Sequence, residues 1–205
     1  MSETAKEILG LDYTFKIIDD VIPETFIATL QRDEHEFTDI HTNVDKHQYT
    51  DSSFRTDKAT TITDIKIATN ILNYIKPNLP KLYKSYTINP LLRFTKSEPG
   101  NTVAPHIDST NQKEGYLSII VYLSNNTDGA TRFININTMQ KYDVLPKVGR
   151  VVIFDHRLTH SGLAPSENKY IMRTNLNGSN DVKINDPDLV WSPFNKRYMR
   201  RGIMN

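Results

Sequence analysis

The sequence predicts a mainly β protein with flanking helices. Three observations carry this: helix-forming segments early in the chain, a dense series of short apolar runs from Leu82 onward, and turn residues between those runs. Residues 88–95, 103–108, 116–123, 130–136, 142–145, 150–155 and 169–176 are each strand-sized and bounded by Gly, Pro, Asn or Asp. Strands this short and closely spaced build a sandwich or barrel.

Residues 13–21 alternate imperfectly and read as a first strand. Pro23 and Glu24 then open a helix through about Arg32, because proline suits the first helical turn and an acidic residue suits its positive end. Residues 33–57 are polar and aperiodic and read as a surface excursion; its three scattered histidines, His35, His41 and His47, are not read as ligands. From Ala59 to Leu79, Ile62, Ile65, Ile67, Ala68, Ile71, Leu72 and Ile75 recur at helical spacing, which predicts one amphipathic helix ending near Pro77. The Asn125–Gly129 stretch, rich in residues that tolerate positive φ, reads as a hairpin turn.

At 205 residues the chain suits one domain: a helical support over about 1–80, a β core over about 81–178 and a basic tail over about 179–205. It has no cysteine, so a metal site must be built from His, Asp and Glu, and an intracellular, cytoplasmic setting is expected. No segment approaches the roughly 20 apolar residues of a membrane span. A net charge of +1 lacks the global footprint of a nucleic-acid binder. In the tail, Lys196, Arg197, Arg200 and Arg201 stand among Phe194 and Tyr198. This mixture could contact phosphates or an acidic partner, but the favoured reading is a solvated terminal helix packing its aromatic residues on the domain. Oligomeric state is not legible.

The chemistry is carried by His106 and Asp108. Residues two apart on a strand share a face, so an imidazole nitrogen and a carboxylate oxygen can meet one ion. A third ligand must come from elsewhere, and His160, just before Ser161 and Gly162 at a turn, is favoured over His156, which sits between charged neighbours. Two histidines and one carboxylate are the set that holds non-haem Fe(II) on one side and leaves the other coordination positions open. A hydrolytic zinc site uses the same residue types and stays open at this point, although no HExxH helix and no Gly-x-Ser-x-Gly elbow is present. After His160, Lys169 and Arg173 lie four apart, on one face of a strand, where they can hold an anionic co-substrate.

With these residues in place the chain resembles the 2-oxoglutarate and Fe(II)-dependent dioxygenases, in their prolyl 4-hydroxylase-like branch. The similarity runs from about Leu91 to Leu176. It is carried by Arg93, Phe94 and Gly100 ahead of His106 and Asp108, by Leu117–Ser124 followed by Asp128–Phe133, by Pro146, Gly149 and Phe154, and by His160, Gly162, Lys169 and Arg173. The resemblance implies a double-stranded β-helix, or jelly-roll, core. It implies His106, Asp108 and His160 as iron ligands and Lys169, with Arg173 as competitor, as the anchor of 2-oxoglutarate. Ser97 stands where many relatives carry a tyrosine, so a hydroxyl contact to the co-substrate falls to Tyr116 or Tyr122. The implied reaction uses O2, with ascorbate as a candidate reductant. It hydroxylates a C–H bond, with a prolyl residue in a protein or peptide as the favoured substrate over a small molecule or a nucleic acid, and releases succinate and CO2. The rival reading is a non-catalytic jelly-roll module that binds a ligand or partner at its mouth.

Overall fold

The short apolar runs become the strands of two facing antiparallel sheets in a computed structural model, which describes residues 8–9, 14–31, 36–39, 42–44, 47–49, 54–79, 83–108, 117–177, 189–192 and 197–200. In chain order the elements are β1 (Phe15–Ile18), α1 (Glu24–Leu30), β2 (Thr38–Asp39), β3 (Thr42–Val44), β4 (His47–Tyr49), β5 (Lys58–Thr63), α2 (Ile65–Ile75), a 3-10 turn (Lys76–Asn78), β6 (Thr87–Ile88), β7 (Leu91–Ser97), β8 (Val103–His106), β9 (Leu117–Tyr122), β10 (Thr131–Ile134), β11 (Lys141–Val144), β12 (Val151–Asp155), β13 (Thr159–Gly162), β14 (Lys169–Asn177), β15 (Leu189–Ser192) and β16 (Arg197–Arg200). The large sheet runs β1-β12-β9-β14-β7-β5-β2, with β6 also on β14, and the small sheet runs β11-β10-β13-β8. From β7 to β14 the chain passes repeatedly between the sheets, the winding of a double-stranded β-helix.

Every residue of β9 and β12 is buried, because the large sheet is covered on both faces. Leu117, Ile119, Val121, Val151, Ile153, Met172 and Leu176 pack with α1 and α2 through Ile27, Leu30, Ala68, Ile71 and Ile75. The alternate residues Ile120, Tyr122, Val152 and Phe154 pack between the sheets with Phe15, Phe133 and Val144. This period-two partition leaves one end of the inter-sheet space for polar groups.

Four sequence expectations are corrected. The helix expected over 59–79 begins only at Ile65: residues 58–63 form β5, in register with β7 from Lys58↔Lys96 to Thr63↔Leu91. The β-branched run Thr60–Thr63 suits a strand. Asp64 then stops it and caps α2, its carboxylate accepting from the backbone N–H groups of Lys66 and Ile67. The Asn125–Gly129 stretch is not a hairpin turn, since β9 pairs with β12 and β14 whereas β10 pairs with β11 and β13, and the connection crosses between sheets. Ser161 and Gly162 are strand residues of β13, not a turn. In the tail, the described residues of β15 and β16 form an antiparallel pair in place of a terminal helix. His35 and His41 lie outside the described residues.

Candidate metal and co-substrate site

Antiparallel pairing, not sequence proximity, brings the two histidines together. His106 on β8 and His160 on β13 are direct cross-strand partners, so both side chains leave the same face of the small sheet toward the large one. Their rings are 4.4 Å apart. Phe133, the partner of His160 on β10, stacks against His160, and Phe154 meets it edge-on. At Gly162 beside them, an added Cβ would lie 3.3 Å from Val103 Cγ2 on β8, so that side chain would have to give by a few tenths of an ångström. Asp108 lies just beyond β8 and crosses to the large sheet, where its Oδ2 accepts from the Ser118 hydroxyl of β9; its own N–H donates to the carbonyl of His156. His156 therefore contributes its backbone, and its ring is not part of the ligand cluster.

The ring nitrogens have defined roles. Nδ1 of His106 lies 2.9 Å from the Ala104 carbonyl and Nδ1 of His160 lies 3.0 Å from the Leu158 carbonyl. A carbonyl only accepts, so Nδ1 carries the proton in each ring and Nε2 keeps its lone pair. Those Nε2 atoms lie 3.8 and 3.6 Å from Asp108 Oδ1. Burial pushes the His106 imidazole down to about 4, assisted by its neighbour His160, and burial lowers His160 as well. Both rings are thus neutral at pH 7, the state a metal ligand requires. Burial disfavours the charge on Asp108, but Arg173 first, then His160 and Ser118, outweigh it and hold the carboxyl below its usual range.

Asp108 Oδ1 decides the fit to a metal. It is buried and ion-paired with Arg173 Nη1 at 2.7 Å, and no other donor of the described residues bonds to it. A buried carboxylate oxygen facing two imidazole lone pairs, all three ligand atoms within 4.8 Å of one another, is the donor set of a facial 2-His-1-carboxylate centre.

Lys169 and Arg173 share one face of β14, and that face lines the cleft, while Met172 and Leu176 point into the helix-facing core. The two basic residues are not equivalent. Arg173 stands beside Asp108. Lys169 is only 4 % exposed and its Nζ donates 2.8 Å to the Gly129 carbonyl. Burial pulls its pKa down to about 8, and Asp57 and Asp128 only partly restore it. Gly129, at φ +64, is where its carbonyl can face Lys169 and where any Cβ would meet Pro165 at 2.7 Å. Asp128 in the same turn caps the backbone N–H of Ser166.

Tyr122 is fully buried, and its hydroxyl donates to Thr131 Oγ1 at 2.6 Å; Thr131, not Tyr122, reaches the cleft. Tyr116 lies outside the described residues. The structure adds Arg55, Asp57, Arg93, Ser97 and Thr131 to the lining. Asp57 and Arg55 fall in what reads from sequence as a surface excursion, yet Asp57 is buried and bridged to Arg55 at 2.7 Å. Nothing local signals this, because their burial comes from β7 and β8. A roomier cavity of about 600 Å³ lies against Phe37, Phe94, Leu123 and Tyr170. The polar groups instead converge on the inter-sheet cleft of about 60 Å³, which carries the chemistry.

Fold and site together define a double-stranded β-helix with a facial metal centre beside a buried cation. Over residues 92–177 the chain matches the model of the 2OG-Fe(II) oxygenase superfamily. It is a 2-oxoglutarate-dependent dioxygenase, and Fe(II), 2-oxoglutarate and O2 are the reactants that the family uses. Among solved structures, a Pseudomonas putida prolyl-4-hydroxylase shares the fold with TM-score 0.61 and 16 % identity, over 83 % of this chain and 95 % of that one. A Trichoplax adhaerens prolyl hydroxylase, solved with a hypoxia inducible factor peptide fragment, has TM-score 0.61 and 16 % identity over 80 % and 83 % of the two chains. The carbocyclase SnoK of nogalamycin biosynthesis has TM-score 0.63 and 11 % identity over 85 % and 83 %. No curated protein matches the sequence. No helix among the described residues is long and apolar enough to cross a membrane.

Proposed function

We propose that this protein hydroxylates a C–H bond of a prolyl residue in a protein or peptide, converting 2-oxoglutarate to succinate and CO2. The observation that carries the metal assignment is the convergence of Asp108 Oδ1 with the Nε2 lone pairs of His106 and His160, one ligand atom from each residue and all within 4.8 Å of one another. His106, Asp108 and His160 hold Fe(II), which when bound supplies the redox centre for O2 and for oxidation of the substrate. Ser118 and the His156 carbonyl fix Asp108, and the Ala104 and Leu158 carbonyls fix the imidazoles, so the ligand atoms need no reorganisation to receive the ion.

Lys169 is the anchor for the distal carboxylate of 2-oxoglutarate. It is the buried cation whose bonded partner is only a carbonyl, whereas Arg173 already stands against Asp108. Four residues of strand separate them by about 13 Å, enough to assign one to each end of the cleft. Thr131, held by Tyr122, offers a hydroxyl beside Lys169, and Ile120, Ile171 and Val103 keep this part of the cleft dry. The prolyl substrate is supported by the prolyl hydroxylases that share the fold; SnoK, a carbocyclase, shows that the fold alone leaves the reaction outcome open.

The test is spectroscopic and then chemical. Fe(II) and 2-oxoglutarate added without oxygen are expected to give the visible charge-transfer band of the chelated complex. Oxygen should then release succinate, stimulated by one member of a proline-containing peptide panel and not by its Pro→Ala counterpart. A folded protein with no band overturns the metal assignment, and stimulation by a non-peptide small molecule alone overturns the substrate.

A further inference from the structure

The cations of the cleft are more numerous than the metal and co-substrate chemistry requires. Arg55, Arg93, Lys169 and Arg173 all line it. Arg55 is neutralised by Asp57 through a two-pronged bridge at 2.7 and 2.8 Å. Arg173 stands against Asp108, and Lys169 is held by Gly129. Arg93 has no hydrogen bond or ion pair among the described residues, and its Nε is buried without an acceptor.

Its position makes this costly. Arg93 on β7 is the direct cross-strand partner of Arg173 on β14, and like charges placed opposite one another destabilise a sheet. Burial first, then Arg55 and Arg173, lower the Arg93 pKa to about 10, so the guanidinium is still charged at neutral pH. A charge balance shows what is missing. With Arg55 and Asp57 cancelling, Arg93, Arg173 and Lys169 set three positive charges against the single carboxylate of Asp108. A divalent metal and a dianionic co-substrate cancel each other, which leaves an excess of two positive charges facing the substrate.

We propose that Arg93 receives a carboxylate of the substrate itself, so that the substrate class is acidic: for a prolyl peptide, an Asp, Glu or terminal carboxylate close to the oxidised residue. A guanidinium accepts a carboxylate through two parallel bonds, which fixes orientation as well as proximity. Arg93 is thus a specificity residue, distinct from the metal ligands and from Lys169. The inference rests on the metal and co-substrate reading given above.

The full chain loaded with Fe(II) and saturating 2-oxoglutarate without oxygen is titrated calorimetrically with acetate and, separately, with sulfate, as wild type, Arg93→Gln and Arg93→Lys. Acetate is expected to bind saturably to wild type, about tenfold or more weakly to Arg93→Gln, and at an intermediate level to Arg93→Lys, while the 2-oxoglutarate midpoint moves less than about twofold. If wild type shows no charge-transfer band, the metal reading fails and this inference fails with it. With the band present, absent acetate binding or acetate binding that Arg93→Gln leaves unchanged overturns the inference alone. Sulfate binding without acetate binding overturns the carboxylate class, and a 2-oxoglutarate midpoint that weakens as much as the acetate one assigns Arg93 to the co-substrate instead.

Discussion

Replacing Lys169 by Met should stabilise the unliganded protein and cripple its binding of 2-oxoglutarate, opposite signs from a single change. The lysine is 4 % exposed, and burial takes its pKa from 10.5 to about 8. At about 1.4 kcal/mol for each tenfold loss of proton affinity, keeping it charged in the fold costs about 3 kcal/mol at pH 7. Methionine matches much of the aliphatic stem and removes the charge, at the expense of the hydrogen bond to Gly129, about 1 kcal/mol. The net gain of about 2 kcal/mol should raise the melting temperature by about 4 to 8 °C for a chain of this size. Against this, a buried carboxylate left without its cation costs about 2 to 5 kcal/mol, so the 2-oxoglutarate midpoint should weaken by roughly 30-fold or more. The sign with pH follows from the lowered pKa. Below pH 8 both states bind the proton and the penalty is fully present; between about 8 and 10.5 the unfolded chain binds more protons, so wild-type stability rises with pH through that window. This contribution to the slope is absent from Lys169→Met. Urea denaturation across pH and calorimetric 2-oxoglutarate titration of the Mn(II)-loaded protein measure both halves. A Lys169→Met protein less stable than wild type, or one binding 2-oxoglutarate within about threefold of it, refutes the reasoning.

Other substitutions test the remaining parts. Because the neutral form of Lys169 cannot pair with a carboxylate, 2-oxoglutarate affinity measured on the Mn(II)-loaded protein should fall as pH rises above about 8, and a flat profile would assign the anchor to Arg173. His106→Ala and Asp108→Ala are each expected to reduce succinate release to the uncatalysed background while circular dichroism stays native; retained release in either shows that the ligand set is wrong. Gly129→Ala places a methyl 2.7 Å from Pro165 at φ +64 and should cost about 1 to 3 kcal/mol in urea denaturation, with weakened 2-oxoglutarate binding because the carbonyl that holds Lys169 moves. Asp64→Ala removes the cap of α2 and should cost about 1 kcal/mol with turnover unchanged; an equal loss of turnover would mean that α2 positions the site.

The sequence by itself determined the strand content of the core and the residue types of the site. His106 and Asp108 were legible because a strand repeats every two residues, and Lys169 with Arg173 for the same reason. Periodicity names a face but not what the face meets. Ile62 fits a helical stripe with Ile65 and Ile71 equally well on paper, and only pairing with β7 makes residues 58–63 a strand. The residues of β9 and of β10 look like a hairpin because a turn-forming stretch separates them, yet hydrogen bonds to β12, β14, β11 and β13 send them to different sheets. The meeting of His106 with His160, the burial of Asp57 and Arg55, the bracing of Asp108 by Ser118 and the like-charge pair of Arg93 with Arg173 are all cross-strand or cross-sheet contacts between distant segments. Tertiary structure decided these, because sheet pairing is settled by long-range hydrogen-bond ladders and burial that no local stretch of chain encodes.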